Sequence, residues 1–104
     1  MKIALASPTF SGSVNECLSQ LEILVKEAAQ QHAEIICFPE TYIPGYPAKE
    51  FKTGKSTKEN MQYALQKACA IAKENTMVII LPMDWFVDEA MMNVAFVIDK
   101  IQEV

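Results

Sequence analysis

The chain has 104 residues, a hydrophobic content of 51%, a charged content of 21% and a formal net charge of -4. This is the composition of a globular domain, not of a disordered segment. Without a cluster of Lys or Arg, the acidic balance argues against nucleic acid and anionic membranes as partners. No apolar run approaches the ~20 residues that span a membrane.

The chain opens with a predicted strand and a predicted helix. The short apolar run Ile3–Ala6 predicts a strand that ends at Pro8. Ser13 and Glu16 match the Ser-x-x-Glu capping box, which predicts that a helix begins at Val14. Apolar residues at three- and four-residue steps then predict one buried stripe. This stripe comprises Val14, Cys17, Leu18, Leu21, Leu24, Val25, Ala28 and Ala29.

The next apolar run, Ile35–Phe38, has no polar interruption. Such a run is typical of a parallel strand that is buried on both faces. Pro39 cannot donate a backbone hydrogen bond, so the strand is expected to end there. Glu40 then follows the carboxyl end of a central strand, where open α/β folds bind their ligands. From the pattern alone, Glu40 is either a site residue or a solvated loop acid.

A second strand–helix repeat and a hairpin complete the prediction. Ser56 and Glu59 match a second capping box, and Asn75 is a candidate left-handed C-cap of that helix. The apolar run Met77–Leu81 predicts a third strand that ends at Pro82. Asn93–Ile98 predicts a fourth, and its short connection favours an antiparallel hairpin that turns near Val87–Ala90.

The predicted order is β-α-β-α-β-β, an α/β fold. Three predicted strands end in a proline, which places Ser7, Glu40 and Asp84 along one edge of a parallel sheet. Asp84 either supports a loop there or contributes to a site, and loop support is favoured.

The three cysteines, Cys17, Cys37 and Cys69, form no Cys-x-x-Cys pair. That spacing argues against a zinc site or a disulfide framework and indicates a reducing, cytoplasmic compartment. Cys17 falls in the apolar stripe of the first helix, where core packing is the favoured role.

At several points the sequence resembles the carbon–nitrogen hydrolase (nitrilase) superfamily. The similar segments are Met1–Ala6, the Phe-Pro-Glu run Phe38–Glu40, the Gly-Tyr pair Gly45–Tyr46 and the Asn-x-Ala strand Asn93–Ala95. The loop after the second strand is most similar to the nitrilase branch. The resemblance extends over all 104 residues and implies half of an α-β-β-α sandwich, the amino-terminal part of an incomplete hydrolase domain.

The resemblance also implies a Glu-Lys-Cys triad that hydrolyses a nitrile or an amide without a metal or cofactor. Glu40 matches the catalytic glutamate, and Tyr46 matches a tyrosine that lines the substrate pocket. The implied lysine and cysteine come later than Val104 in the family pattern. Lys100 falls too early for the lysine, and Cys37 lies inside a strand, so neither is assigned a catalytic role.

The sequence is therefore compatible with three candidate functions. The first is an amino-terminal piece of a hydrolase that is inactive alone and binds a small nitrile or amide only when the enzyme is assembled. The second is a truncated, non-catalytic interaction or dimerisation module. Both predict association with a second copy or with the remainder of the enzyme. A small flavodoxin-like domain is disfavoured, because the chain has only 3 glycines and no Gly-x-Gly-x-x-Gly motif.

Overall fold

The structure is a computed structural model that describes residues 1–9, 13–45 and 57–101. Its elements follow the predicted order β-α-β-α-β-β. They are β1 (Ile3–Leu5), α1 (Val14–Gln30), β2 (Ile35–Cys37), α2 (Lys58–Asn75), β3 (Val78–Val87) and β4 (Ala90–Ile98).

The four strands form one sheet in the order β1-β2-β3-β4. The first three are parallel, and β4 pairs antiparallel with β3 through a turn at Asp88 and Glu89. The predicted hairpin and its turn are therefore confirmed. Because parallel strands share their direction, the loops after β1 and β2 meet at one edge of the sheet, the carboxyl edge.

Both helices pack on the same face of the sheet. Right-handed crossovers between neighbouring parallel strands place successive helices on one side. Strand residues on this covered face alternate with those on the other, as in β3, where Ile79, Leu81 and Met83 are fully buried. They form one core with the apolar stripes of α1 and α2, which include Leu21, Val25, Met61, Ala64 and Ala68.

The opposite face of the sheet is apolar but has no covering element among the described residues. Ile3, Leu5 and Val97 are 55%, 80% and 71% exposed. Strand register arranges these side chains in rows across the sheet. We name this surface the bare face: Ile3, Leu5, Ile35, Cys37, Val78, Ile80 and Val97.

Pro82 does not end the third strand, contrary to the sequence prediction. β3 continues through it to Val87, and Pro82 pairs in register with Ala95 of β4. The strand tolerates this proline because of the edge of β3 that its missing backbone N–H would face. The carbonyls of Ile80 and Pro82 point to the β2 side, where they accept bonds from Phe38 and Ile43. The missing N–H of Pro82 therefore falls on the side away from β4, and the antiparallel ladder is undisturbed.

The predicted start of α1 is confirmed, and the predicted ends of α2 are each wrong by one residue. Ser13 caps α1 by accepting a bond from the Glu16 N–H at 3.1 Å. Thr57, not Ser56, caps α2, and its hydroxyl accepts from the Asn60 N–H at 3.1 Å. Thr76, not Asn75, takes the left-handed conformation after α2.

Asn75 is instead the last residue of α2, where its side chain donates to the carbonyl of Ile71 at 2.9 Å. Across the described ranges, no helix has both the length and the apolar character that crossing a membrane requires.

Candidate functional site

Glu40 lies at the carboxyl edge of the sheet, immediately after β2 and Pro39. Its side chain is exposed, whereas Thr41, Tyr42 and Ile43, which follow it, are 7%, 5% and 0% exposed. An accessible carboxylate therefore precedes a buried backbone segment. We name residues 40–44 the glutamate loop.

Ile43 fixes the glutamate loop to β3. Its N–H donates to the carbonyl of Pro82 at 3.4 Å, and its carbonyl accepts from the N–H of Asp84 at 2.9 Å. Ile43 thus extends the sheet by one bridge with Met83, after β2 itself has ended. Asp84 supports the loop through its backbone, which is consistent with the role favoured from the sequence.

Tyr42 and Cys17 fix the same loop to α1. The Tyr42 hydroxyl donates to the carbonyl of Cys17 at 2.6 Å. The Cys17 sulfur lies 3.5 and 3.7 Å from the carbonyl oxygens of Tyr42 and Pro44, which share its single S–H donor. The Tyr42 ring also stacks on Phe38 with centroids 4.8 Å apart. Burial and, secondarily, the neighbouring Cys17 raise the pKa of Tyr42 well above its ordinary range, which keeps the phenol protonated.

Thr41 is held by a hydrogen bond from β4, the strand on the other side of β3. Its φ is 49°, in the left-handed region. For a β-branched residue, a backbone in this region is a rare conformation that costs about 1–3 kcal/mol unless the surroundings fix it. The side-chain amide of Asn93 on β4 donates to the Thr41 hydroxyl oxygen at 2.9 Å.

A cavity of about 380 Å³ lies against the glutamate loop. The loop after β1 supplies its second wall, and the Thr9 N–H in that loop donates to the side-chain oxygen of Gln20 on α1 at 2.9 Å. Both walls are therefore attached to α1. The described lining residues are Pro8, Thr9, Pro39, Glu40, Thr41, Tyr42 and Gly45.

The predicted site residues are only partly gathered here. Glu40 lines the cavity, and Ser7 follows β1 at the same edge without lining it. Asp84, predicted at this edge because Pro82 was expected to end the strand, lies inside β3 instead, paired with Asn93, and does not line the cavity either. Tyr46, the predicted substrate-binding residue, lies outside the described residues. No sequence signal predicted a site role for Thr9 or Thr41, and Asn93 was predicted only as part of a strand similar to the family's.

None of the cysteines lines the cavity as a nucleophile would. Cys17 is 1% exposed beneath Tyr42, as predicted for a core residue. Cys37 is half-buried within β2 on the bare face. Burial raises the pKa of the Cys69 thiol on α2, which lowers the fraction of reactive thiolate at neutral pH.

Lys100 lies at the wrong edge of the sheet to assist Glu40. β4 runs antiparallel to β3 and ends where Ile98 pairs near the start of β3, away from the carboxyl edge. Lys100 is seven residues beyond Asn93, a separation of roughly 20 Å at ~3.3 Å per residue. The described residues also contain no group of three side chains suited to bind a metal ion.

The site presents one accessible carboxylate on a fixed backbone beside a small, largely apolar cavity. A carboxylate in this setting can accept a proton from a group that binds in the cavity, which is the role of a general base.

The model of the family described as carbon-nitrogen hydrolase matches residues 2–104. No curated protein matches the chain significantly. Among solved structures, a carbon-nitrogen hydrolase from Helicobacter pylori G27 is similar over 94% of this chain, with 16% identity and a TM-score of 0.73. An amidase from Nesterenkonia sp. is similar over 81% of this chain, with 19% identity and a TM-score of 0.70.

A glutamine-dependent NAD+ synthetase from Acinetobacter baumannii, solved with ADP, is similar over 94% of the chain, with 25% identity and a TM-score of 0.70. The chain covers 35%, 32% and 18% of the hydrolase, the amidase and the synthetase, respectively. It therefore spans about a third or less of each of these structures. The sheet of four strands and the two helices match half of the nitrilase fold, as predicted.

Proposed function

The chain belongs to the carbon–nitrogen hydrolase family, and we propose that it contributes the general base, Glu40, to an active site that hydrolyses a nitrile or an amide. The observation that carries this proposal is the exposed Glu40 carboxylate on a loop fixed to both α1 and β3, beside a cavity. A fixed backbone supports catalysis, because a general base must lie within hydrogen-bond reach of the proton it removes.

In the proposed reaction, Glu40 accepts the proton of a cysteine thiol. A thiol with a pKa of ~8.5 is mostly protonated at neutral pH, so it needs such a base. The thiolate attacks the carbon of the substrate. An amide then loses ammonia or an amine and leaves a thioester, whereas a nitrile gives a thioimidate, to which one water adds before ammonia leaves and the same thioester remains. A further water hydrolyses the thioester and restores the thiol. A lysine stabilises the negative charge that develops on the substrate.

The cysteine and the lysine belong, in this proposal, to parts of the enzyme other than the described residues. The positions of Cys17, Cys37 and Cys69 support this, because none lines the cavity. A relative supports the cysteine chemistry: a variant of the Nesterenkonia amidase shows the product of Michael addition of acrylamide at its active-site cysteine. The 104-residue chain alone is accordingly expected to be inactive.

The bare face is proposed to pack against the remainder of a hydrolase fold. Its four strands lie ~4.8 Å apart, and each contributes about three residues of ~3.3 Å, which gives a projected area of roughly 190 Å². Covering it would contribute about 5 kcal/mol before association costs. The remainder of a hydrolase fold is the proposed occupant because the sheet and its two helices match half of that fold. The chain also covers only 35% of the similar hydrolase.

Ammonia release tests the catalytic proposal. The purified chain should release none from nitriles or amides. Joined to or co-expressed with the remainder of its hydrolase, it should be active, and Glu40→Gln should lower the rate by about 10²–10⁴-fold because the base is lost. Glu34→Gln is the matched control, since Glu34 is an exposed acid at the other end of β2. Full activity in Glu40→Gln would overturn the proposal.

Light scattering with a hydrophobic dye tests the proposed assembly. The chain alone should bind the dye and associate non-uniformly at micromolar concentration, and both effects should disappear when the remainder of the fold is present. A monodisperse monomer that binds no dye would contradict the proposal. A stable dimer with no dye binding would instead identify a second copy as the occupant.

A further inference from the structure

We propose that Asn93 is a positioning residue for Glu40 and that it acts through Thr41. The catalytic meaning of this inference rests on the proposed function of Glu40. The positioning itself is a property of the fold and can be measured without any activity.

The proposal rests on a hydrogen bond that reaches from β4 past β3 to the glutamate loop. Asn93 pairs in register with Asp84 of β3, whereas the glutamate loop lies on the opposite side of β3, bridged to Met83. The Asn93 amide nevertheless reaches Thr41 at 2.9 Å, and the two residues are 52 positions apart in the sequence. β4 is therefore connected directly to the residue that follows Glu40.

Thr41 is the residue of this loop that most needs a specific partner. Tyr42 is fixed by α1 and Ile43 by β3, through hydrogen bonds that do not involve the Thr41 side chain. Thr41 itself has a φ of 49°, a left-handed conformation that a β-branched residue keeps only when its surroundings determine it. The Asn93 amide supplies such a partner by donating a hydrogen bond to the Thr41 hydroxyl oxygen.

The consequence for Glu40 is mechanical. If the Asn93 bond is removed, Thr41 can relax toward the extended region, and that rotation moves the preceding residue. A shift of about 1 Å in a catalytic group can cost 10²-fold in rate. In the assembled enzyme, Asn93→Ala should therefore lower kcat by roughly ten- to a hundredfold and leave KM nearly unchanged, because Asn93 is not among the cavity-lining residues.

Backbone ¹⁵N relaxation tests the inference at Glu40 and Thr41, measured on the labelled chain assembled with the remainder of its hydrolase so that it does not self-associate. In the wild type, their amides should show order parameters of about 0.85, and in Asn93→Ala these should fall below about 0.6. The amides of Tyr42 and Ile43 should stay rigid, because their bonds to α1 and β3 are intact. Met91→Ala is the matched control, since Met91 is an exposed side chain on the same face of β4.

Two variants of Thr41 make the test specific. Thr41→Val keeps the shape but removes the acceptor, so it should reproduce the effect of Asn93→Ala. Thr41→Ser keeps the acceptor and should retain wild-type order. The double variant Asn93→Ala/Thr41→Val should lose no more order than either single variant, because both remove the same bond.

Rigid Glu40 and Thr41 amides in both Asn93→Ala and Thr41→Val would overturn the inference, as would an equal loss of order in Met91→Ala. These outcomes are separate from the proposed function. If Glu40→Gln abolishes hydrolysis but Asn93→Ala changes neither order nor kcat, Glu40 is the base and Asn93 does not position it. If the order falls as expected but Glu40→Gln is fully active, the positioning stands and the catalytic proposal fails.

Discussion

The two faces of the sheet differ in packing although they are similar in composition. On the covered face, Ile79, Leu81 and Met83 are completely buried against the helices. On the bare face, the neighbouring Ile80 is half-buried and Val97 is 71% exposed. Because adjacent residues of one strand belong to opposite faces, β3 contains both environments. The comparison shows that the described helices account for the apolar residues of only one face.

The largest expected effect comes from truncating two adjacent residues on opposite faces. Ile79→Ala should lower the free energy of unfolding by about 2–5 kcal/mol, because it leaves a cavity in the core. Ile80→Ala should lower it by less than about 1 kcal/mol, because Ile80 keeps solvent access on the bare face. Urea titrations of both variants measure the difference. Equal losses would mean that the bare face is covered in the isolated chain.

A smaller loss of stability is expected where the glutamate loop is hydrogen-bonded to α1. Tyr42→Phe should lower the free energy of unfolding by about 1 kcal/mol at neutral pH, because the 2.6 Å bond to Cys17 is lost. Tyr63→Phe is the matched control, since Tyr63 is 45% exposed on α2. Thermal or urea unfolding at neutral pH should leave this control near wild type.

Tyr42 also predicts a dependence on alkaline pH. Its pKa is raised in the folded state, so above pH ~10, the ordinary value for tyrosine, the folded state binds this proton more tightly than the unfolded state does. The stability contributed by Tyr42 is therefore complete below pH ~10 and decreases as the pH rises above it. The difference between wild type and Tyr42→Phe should narrow in that range, and a constant difference would contradict the assignment.

The smallest expected effect on stability comes from a charge on the bare face. Val97→Lys should change the free energy of unfolding by no more than about 0.5 kcal/mol, because Val97 is largely exposed. The same variant should reduce dye binding and association of the chain, because the lysine disrupts the apolar surface. Unfolding titrations and light scattering measure the two effects, and a strong loss of stability would show that Val97 is already packed.

The sequence predicted the elements that depend on local patterns. The capping box at Ser13 and the hairpin were found in this way. β2 ends at Cys37, one residue before the end of the predicted run at Phe38. The end of β3 was not predicted, because the effect of Pro82 depends on which edge of the strand its missing N–H faces, and that is a tertiary property. The cap of α2 was displaced because Ser56 and Thr57 are both suitable capping residues.

The sequence predicted one residue of the candidate site, but it did not predict the contacts that hold that residue in place. Phe-Pro-Glu identified Glu40 through local pattern and resemblance. The Thr41–Asn93 bond joins residues 52 positions apart, and no periodicity or spacing indicates such a contact. The left-handed Thr41 was equally hidden, because glycine and asparagine, not threonine, are the usual signals for that conformation.

Thiol labelling of the native chain tests most directly whether one face is covered and the other is open, which is the claim on which the assembly proposal depends. The measurement uses a dilute solution of the Cys69→Ala variant. Cys37 on the bare face should react readily with the labelling reagent. Cys17 is 1% exposed and should react roughly a thousandfold more slowly. Labelling of Cys17 requires an opening of the core that costs several kcal/mol. In denaturant, both thiols should react alike. Equal rates for Cys17 and Cys37 in the native chain would contradict the account.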